Sequence, residues 1–451
     1  MSSLALGAII GVVTLLVMLT GAPIAFSLGL VAMAAMYLLL EPLQFDMIAK
    51  FVYAELDNFT LLTIPLFIFM GAVFAGSKAS QDLFDAAEKW IGRLKGGLGM
   101  SSVIASSLFA ALTGSSPATA AAIGKVAIPE MRKRGYSGSV AAGAIVAGGT
   151  LGILIPPSVT LILYGIAVEQ SIGQLFIGGI IPGIIITIMF CLWIPLAMKW
   201  ERKSSASRAG KTSHRSTEND AEYVLKTYSW KDRFKALIQV IPFLLLIIAV
   251  LSVLYLGIAT PSEAAAVGAI LALVLVMVIY RSLTWKKFVN ILLETTREST
   301  MVLMIIAFSG LVGVMMSFLS IPQDLTQLIV ELEVNRWVIM LLINLFLLVL
   351  GFFLPPAAII LMVSPIIYPV IMALEFDPIW FGVLMTVNME MGLITPPVGL
   401  NLYVVKGIAP DIPLTDILRG SMPYVVILAL AIILFCIFPG LITWLPTVLM
   451  S

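Results

Sequence analysis

The chain runs to 451 residues, 60% of them hydrophobic and only 11% charged, with a mean hydropathy of +1.09, a balance that excludes a soluble domain. A formal net charge of +1 offers no electrostatic basis for nucleic-acid binding. Two cysteines in separate apolar runs, Cys191 and Cys436, and a single histidine, His214, leave no redox pair and no zinc ligand set.

These limits define a polytopic membrane protein, whose apolar runs can be taken in chain order at the length a bilayer core requires. Runs at 4–20 and 22–40 come first, and the former reads as a span because it lacks a basic leader and passes directly into the latter. Further spans are expected at 59–77, 139–168, 174–198, 236–256, 262–280, 298–320, 378–405 and 421–445, about ten crossings in all. Two other apolar stretches, 97–131 and 337–374, are interrupted by TGSSPAT (113–119) and GFFLPPAA (351–358). Each half is short for a crossing, so both are predicted to be re-entrant hairpins. Helical spacing of Phe45, Ile48, Phe51 and Val52, of Leu83, Phe84, Ala87, Trp90, Ile91 and Leu94, and of Trp285, Phe288, Val289 and Leu292 predicts amphipathic helices along the membrane surface.

Charge in the loops orients this layout. With the N-terminus outside, the loops 41–57, 169–173, 257–261, 321–336 and 375–377 hold only Lys50 and Arg336 of the 26 basic residues, as the positive-inside rule requires. Both termini then lie outside. TGAPIAFSLG (20–29) matches TPSEAAAVG (260–268) on the opposite face, which predicts an inverted repeat: residues 1–200 and 236–451, joined by a polar cytoplasmic linker, 201–235, that contains His214.

The spans at 139–168 and 378–405 share a Pro-Pro dipeptide, ILIPPS and LITPPV. Proline removes a backbone donor and clashes with the preceding turn, so both helices should break in mid-membrane, freeing carbonyls for a small cation and N–H groups for an anion. The cation candidates are Gly114, Ser115 and Ser116 at the first tip, Gly149, Thr150 and Gly152 at the first break, Gly351 at the second tip, and Glu390, Gly392, Thr395 and Asn401 at the second break. The substrate candidates are Ser116, Pro117, Thr119, Thr150, Pro156, Ser158, Pro355, Pro356 and Pro397. Paired hairpins and broken helices in an inverted repeat point to a secondary transporter. Lys125 is the one fixed positive charge near this set.

These residues resemble a known family. TGAPIAFSLGL, TGSSPATAAAIGKVAIPEMRKRGY (113–136), AAGAIVAGGTLGILIPPS (141–158), TPSEAAAVG and NMEMGLITPPVGLNLYV together are similar to the large membrane subunit, DctM type, of the tripartite ATP-independent periplasmic (TRAP) transporters. The resemblance covers essentially the whole chain except the linker. It implies a bacterial inner-membrane importer of small organic anions such as C4-dicarboxylates or sialic acid, driven by Na⁺ at two or more sites and moving as an elevator. It also implies two partners, a small four-helix membrane subunit and a periplasmic substrate-binding protein. A stand-alone Na⁺-coupled carboxylate carrier of related hairpin fold is the alternative, and an intramembrane enzyme is a remote one, lacking an HExxH or GxSxG motif.

Overall fold

A computed structural model describes residues 2–209, 228–332 and 334–450, so His214 and most of the linker lie outside the described residues. Every regular element among those described is helical. The first half comprises α1 (Ser3–Leu19), α2 (Ile24–Leu39), α3 (Pro42–Asp46), α4 (Ile48–Leu56), α5 (Thr63–Ala75), α6 (Ala79–Ile91), α7 (Gly97–Thr113), α8 (Ser116–Lys133), α9 (Gly138–Thr150), α10 (Val159–Ala167) and α11 (Ile172–Ala209). The second comprises α12 (Trp230–Tyr255), α13 (Pro261–Leu275), α14 (Trp285–Phe318), α15 (Ile321–Glu331), α16 (Arg336–Gly351), α17 (Pro356–Ala373), α18 (Pro378–Leu393), α19 (Leu400–Ile408), α20 (Leu414–Ile437) and α21 (Gly440–Met450). Side-chain caps start many of them: Ser137 accepts from Val140 N, and Thr260 forms a capping box with Glu263.

Among the described residues, α11, α12, α13 with its π-helical continuation to Tyr280, α14, α17 and α20 are each long and apolar enough to cross a bilayer. Helices α4 and α5 qualify only together, bent by 57°. The shorter apolar helices α1, α2, α7, α9, α16 and α21 have 11–17 residues.

The structure corrects the sequence reading in three places. Trp285, Phe288, Val289 and Leu292 do not form a separate surface helix but begin the 34-residue α14. In the first half the equivalent α4 does end, at Asp57, whose backbone (φ −83°, ψ 55°) leaves the helical region. The segment 321–336, read only as a loop, carries α15, which buries Ile321 and Pro322. The last span stops at Ile437 rather than running to 445: Phe438 (ψ 71°) precedes Pro439, which disfavours helix at the residue before it, and α21 starts anew at Gly440.

Helices α9 and α18 form the centre. Every residue of α9 from Val140 to Thr150 is buried, as is every residue of α18 from Ile379 to Leu393. Around them the halves interlock, with α2 on α14, α5 on α13, α9 on α20, α11 on α18, α8 on α19 and α10 on α17. In lipid this association rests on close packing rather than exclusion of water, and small residues supply it: a Cβ on Gly143 or on Gly420 would collide with the carbonyl of Gly420 or of Ser139. Near the start of α12, Glu88 of α6 accepts from Arg134 (2.6 Å) and from the Tyr228 hydroxyl, while Arg132 pairs with Asp411 at 3.0 Å.

Candidate functional site

Each hairpin tip meets the break of its own half through a glycine. At the first tip the chain leaves α7 through Gly114, in the left-handed region (φ 57°), and enters α8 at Ser116. A Cβ on Gly152 would lie 2.6 Å from the Ser115 carbonyl oxygen. At the second tip a Cβ on Gly392 would lie 2.6 Å from the Gly351 carbonyl oxygen. Both glycines stand four residues before their Pro-Pro, at Pro156 and Pro396, and each comes against a backbone carbonyl of its own hairpin, Ser115 just before α8 and Gly351 at the end of α16. The Val398 N–H donates to the Phe352 carbonyl at 3.2 Å, adding a second tie at the second tip.

Hydroxyls furnish the first tip. Thr113 and Thr119 bring their Oγ1 atoms within 2.8 Å, and Thr119 Oγ1 donates to the Ser115 carbonyl at 2.8 Å. Ser116, Thr119, Thr150, Ser158, Glu390 and Asn401 are completely enclosed. Thr150 donates to Ala147 O at 2.8 Å, and Ser158 both donates to Ile153 O and caps α10 at Leu161 N. Gly149 packs against Ala120 and the Asn401 amide. The second break is more open: Pro396 and Pro397 are exposed, whereas Pro156 and Pro157 are buried. Pro117, Pro355 and Pro356 are half-buried at the two tips, and Thr395 donates to Met391 O at 2.6 Å.

Asn401 and Glu390 sit away from the second tip. The half-helix α19 crosses onto α8, so the Asn401 amide donates to Ser116 Oγ at 2.7 Å and to Val146 O at 3.2 Å, joining the first site instead. On α18, Asn388 and Gly392 are one turn apart and face α16; Glu390, roughly 200° around from Asn388, points away from the second tip. Thr150 holds the same place on α9 between Gly148 and Gly152, which face Ser106 and Ser115 of the first hairpin. Lys125 lies on an exposed face of α8.

Residues outside the candidate set also contribute. Asn388 donates to the backbone carbonyl of Asn344 at 2.9 Å and to its side-chain oxygen at 3.1 Å, pinning α18 to α16. A lone asparagine in an apolar helix is the signal that marks Asn344. Among the described residues, Asn388 Oδ1, Asn401 Oδ1 and both carboxylate oxygens of Glu390 are buried with no hydrogen-bond partner. No side chain caps the N-termini of α8, α17 or α19. The arrangement therefore offers buried oxygens for a cation and uncapped helix N-termini for an anion.

Comparison with known proteins identifies the family and the fold. Residues 11–441 match the family model "Tripartite ATP-independent periplasmic transporter, DctM component". The chain is 35% identical to the C4-dicarboxylate TRAP transporter large permease protein DctM of Pseudomonas aeruginosa over 93% of both chains. It is 32% identical to the sialic acid TRAP transporter large permease protein SiaM of Vibrio cholerae over 94% of this chain and 95% of that one. Identity to the 2,3-diketo-L-gulonate TRAP transporter large permease protein YiaN of Escherichia coli is 30%, over 94% of each. Among solved structures, the Alcanivorax borkumensis YdaH transporter shares the fold at a TM-score of 0.58, 15% identity and 88% coverage of both chains. The Neisseria gonorrhoeae efflux pump MtrF does so at 0.53 and 12%, over 87% of this chain and 84% of that one. Those relatives are transporter permeases rather than enzymes, and the chain belongs to the DctM component family of tripartite ATP-independent periplasmic transporters.

Proposed function

We propose that the chain is the transport subunit of a Na⁺-coupled importer of small organic acid anions, C4-dicarboxylates first and sialic acid or related carboxylates next, in a bacterial inner membrane. The observation that carries this reading is the repeated contact of Gly152 with the Ser115 carbonyl and of Gly392 with the Gly351 carbonyl. Two sets of backbone oxygens, each beside a helix break, suit two hard, small cations. The first set adds Ser116, Thr119 and Asn401; the second adds Thr395. The uncapped N-termini of α8, α17 and α19 then receive the carboxylate. With about ten crossings, both termini face the periplasm, the hairpins enter from opposite sides, and hairpins and broken helices move together as an elevator. A small membrane subunit and a periplasmic binding protein complete the system, in keeping with the TRAP names of the relatives.

The test is uptake into proteoliposomes holding the chain and its small subunit, with labelled succinate or sialic acid and the cognate binding protein. Concentrative uptake is expected with an inward Na⁺ gradient and is lost when K⁺ or choline replaces Na⁺. Equal uptake in Na⁺-free, pH-clamped vesicles refutes Na⁺ coupling. Uptake without binding protein supports the stand-alone carrier instead.

A further inference from the structure

Two apolar crevices open on the flank of the molecule at related places. One, of about 430 Å³, lies between α7, α11 and α12 and reaches Pro156. The other, of about 650 Å³, lies among α1, α15, α16 and α17. Helix α12 begins the second half and α7 is the first arm of the first hairpin; α1 and α16 hold the same positions with the halves exchanged. The remaining walls differ: α11 lines the first crevice, and α2, α14, α15 and α17 line the second.

The linings state what each crevice accepts. Neither contains a charged side chain, and their only polar ones are Ser107 and Thr187 in the first and Thr14 in the second. All three hydroxyls are turned back on their own helices: Ser107 donates to Ile104 O at 2.8 Å, Thr187 to Gly183 O at 2.7 Å and Thr14 to Ile10 O at 2.7 Å. Water, which needs about 2–4 polar partners, is poorly served by such walls. The rims continue into the lipid-facing surface, where Ile184, Ile188 and Ile248 at the first and Val12, Leu342 and Phe346 at the second are half exposed or more.

We propose that each crevice is an acyl-chain site that takes one tail of a bilayer phospholipid. This rests on the placement of the chain in a membrane, not on Na⁺ coupling or substrate. A thin, flexible hydrocarbon chain supplies the dispersion contacts that an empty crevice forfeits. It also keeps α7 and α16 from seating rigidly against α12 and α1, so these helices can shift without opening a void.

The experiment uses the full chain in phospholipid nanodiscs containing a phosphatidylethanolamine with a mid-chain diazirine, followed by illumination and peptide mapping. Labels are expected at Leu108 and Ile247, and at Leu15 and Ile343, at least fivefold above those at Val426 and Leu430, which lie exposed on α20. A Cβ on Gly11 meets nothing within 4 Å, so Gly11→Phe fills the second crevice and should cut its labels about fivefold while sparing the first. Thr187→Phe should do the reverse, and each variant's untouched crevice reports on its folding. Labelling no higher than at Val426 and Leu430, or unchanged by both fillings, overturns the proposal. So does loss of label on adding the small membrane subunit together with crosslinking of Gly11→Cys to it, which makes the occupant a protein. None of these outcomes depends on whether the protein transports Na⁺.

Discussion

Gly392→Ala tests the contact on which the functional reading stands. The added methyl would sit 2.6 Å from the Gly351 carbonyl oxygen and 2.8 Å from both its carbonyl carbon and Cα, all of them backbone atoms. With ordinary contact beginning near 3.4 Å, the tip must retreat by 3.4 − 2.6, or 0.8 Å, and no side-chain rotation can absorb it. Overpacking of this kind costs about 1–3 kcal/mol, which is roughly five- to 150-fold if it falls on cation affinity. Na⁺-driven uptake at rising Na⁺ concentration reads that affinity directly, with detergent-solubilised thermal unfolding as the check on folding. Gly407→Ala is the control, because its Cβ meets nothing within 4 Å and it lies in the neighbouring α19; it should leave Na⁺ dependence unchanged. Wild-type Na⁺ dependence in Gly392→Ala, with the protein inserted and folded, would refute the assignment of the Gly351 region to a cation.

Gly152→Ala should raise the half-maximal Na⁺ concentration in the same range, because its Cβ faces Ser115 O at 2.6 Å; a variant indistinguishable from wild type removes the first tip from coupling. Ser116→Ala withdraws the hydroxyl that accepts from Asn401 and should cost about 1–3 kcal/mol in Na⁺ affinity, and an unchanged uptake curve counts against it. Asn388→Ala breaks both bonds to Asn344 and should lower stability by about 1–3 kcal/mol, read as an earlier melting transition; an unaltered melt means that α16 and α18 do not depend on the pair. Arg134→Ala leaves the buried Glu88 carboxylate with the Tyr228 hydroxyl but no positive partner and should cost about 3–5 kcal/mol, whereas Lys133→Ala, at a side chain 71% exposed, should cost close to nothing; equal melting of the two contradicts the packing described around Glu88.

Local chemistry made much of this fold legible. Pro-Pro dipeptides mark both breaks because proline cannot extend a helix, and Gly-Ser-Ser-Pro at the first hairpin turn and Leu-Pro-Pro at the second mark the tips. Interactions between distant segments were not legible in the same way. Asn401 sits four residues after its Pro-Pro and reads as belonging to the second site, yet its partner Ser116 is 285 residues away, a pairing fixed by how α19 lies on α8. Likewise the amphipathic spacing from Trp285 to Leu292 reveals which face is apolar but not that the helix continues without interruption to Phe318. The stop at Ile437 was readable, since Phe-Pro-Gly at 438–440 carries two helix-breaking residues.

The crossed packing of the two halves bears on how the protein is made. The seats of α5 on α13, α2 on α14 and α9 on α20 each need a helix synthesised well over a hundred residues later. Until Gly420 has left the ribosome, the face of α9 around Ser139 and Gly143, shaped to receive a bare backbone, has only lipid beside it. The first half therefore waits in the bilayer as a set of inserted helices without their final neighbours, and its assembly is timed by completion of the second. A chain divided within the linker and expressed as two polypeptides should, on this reasoning, recover its fold only when both pieces share one membrane.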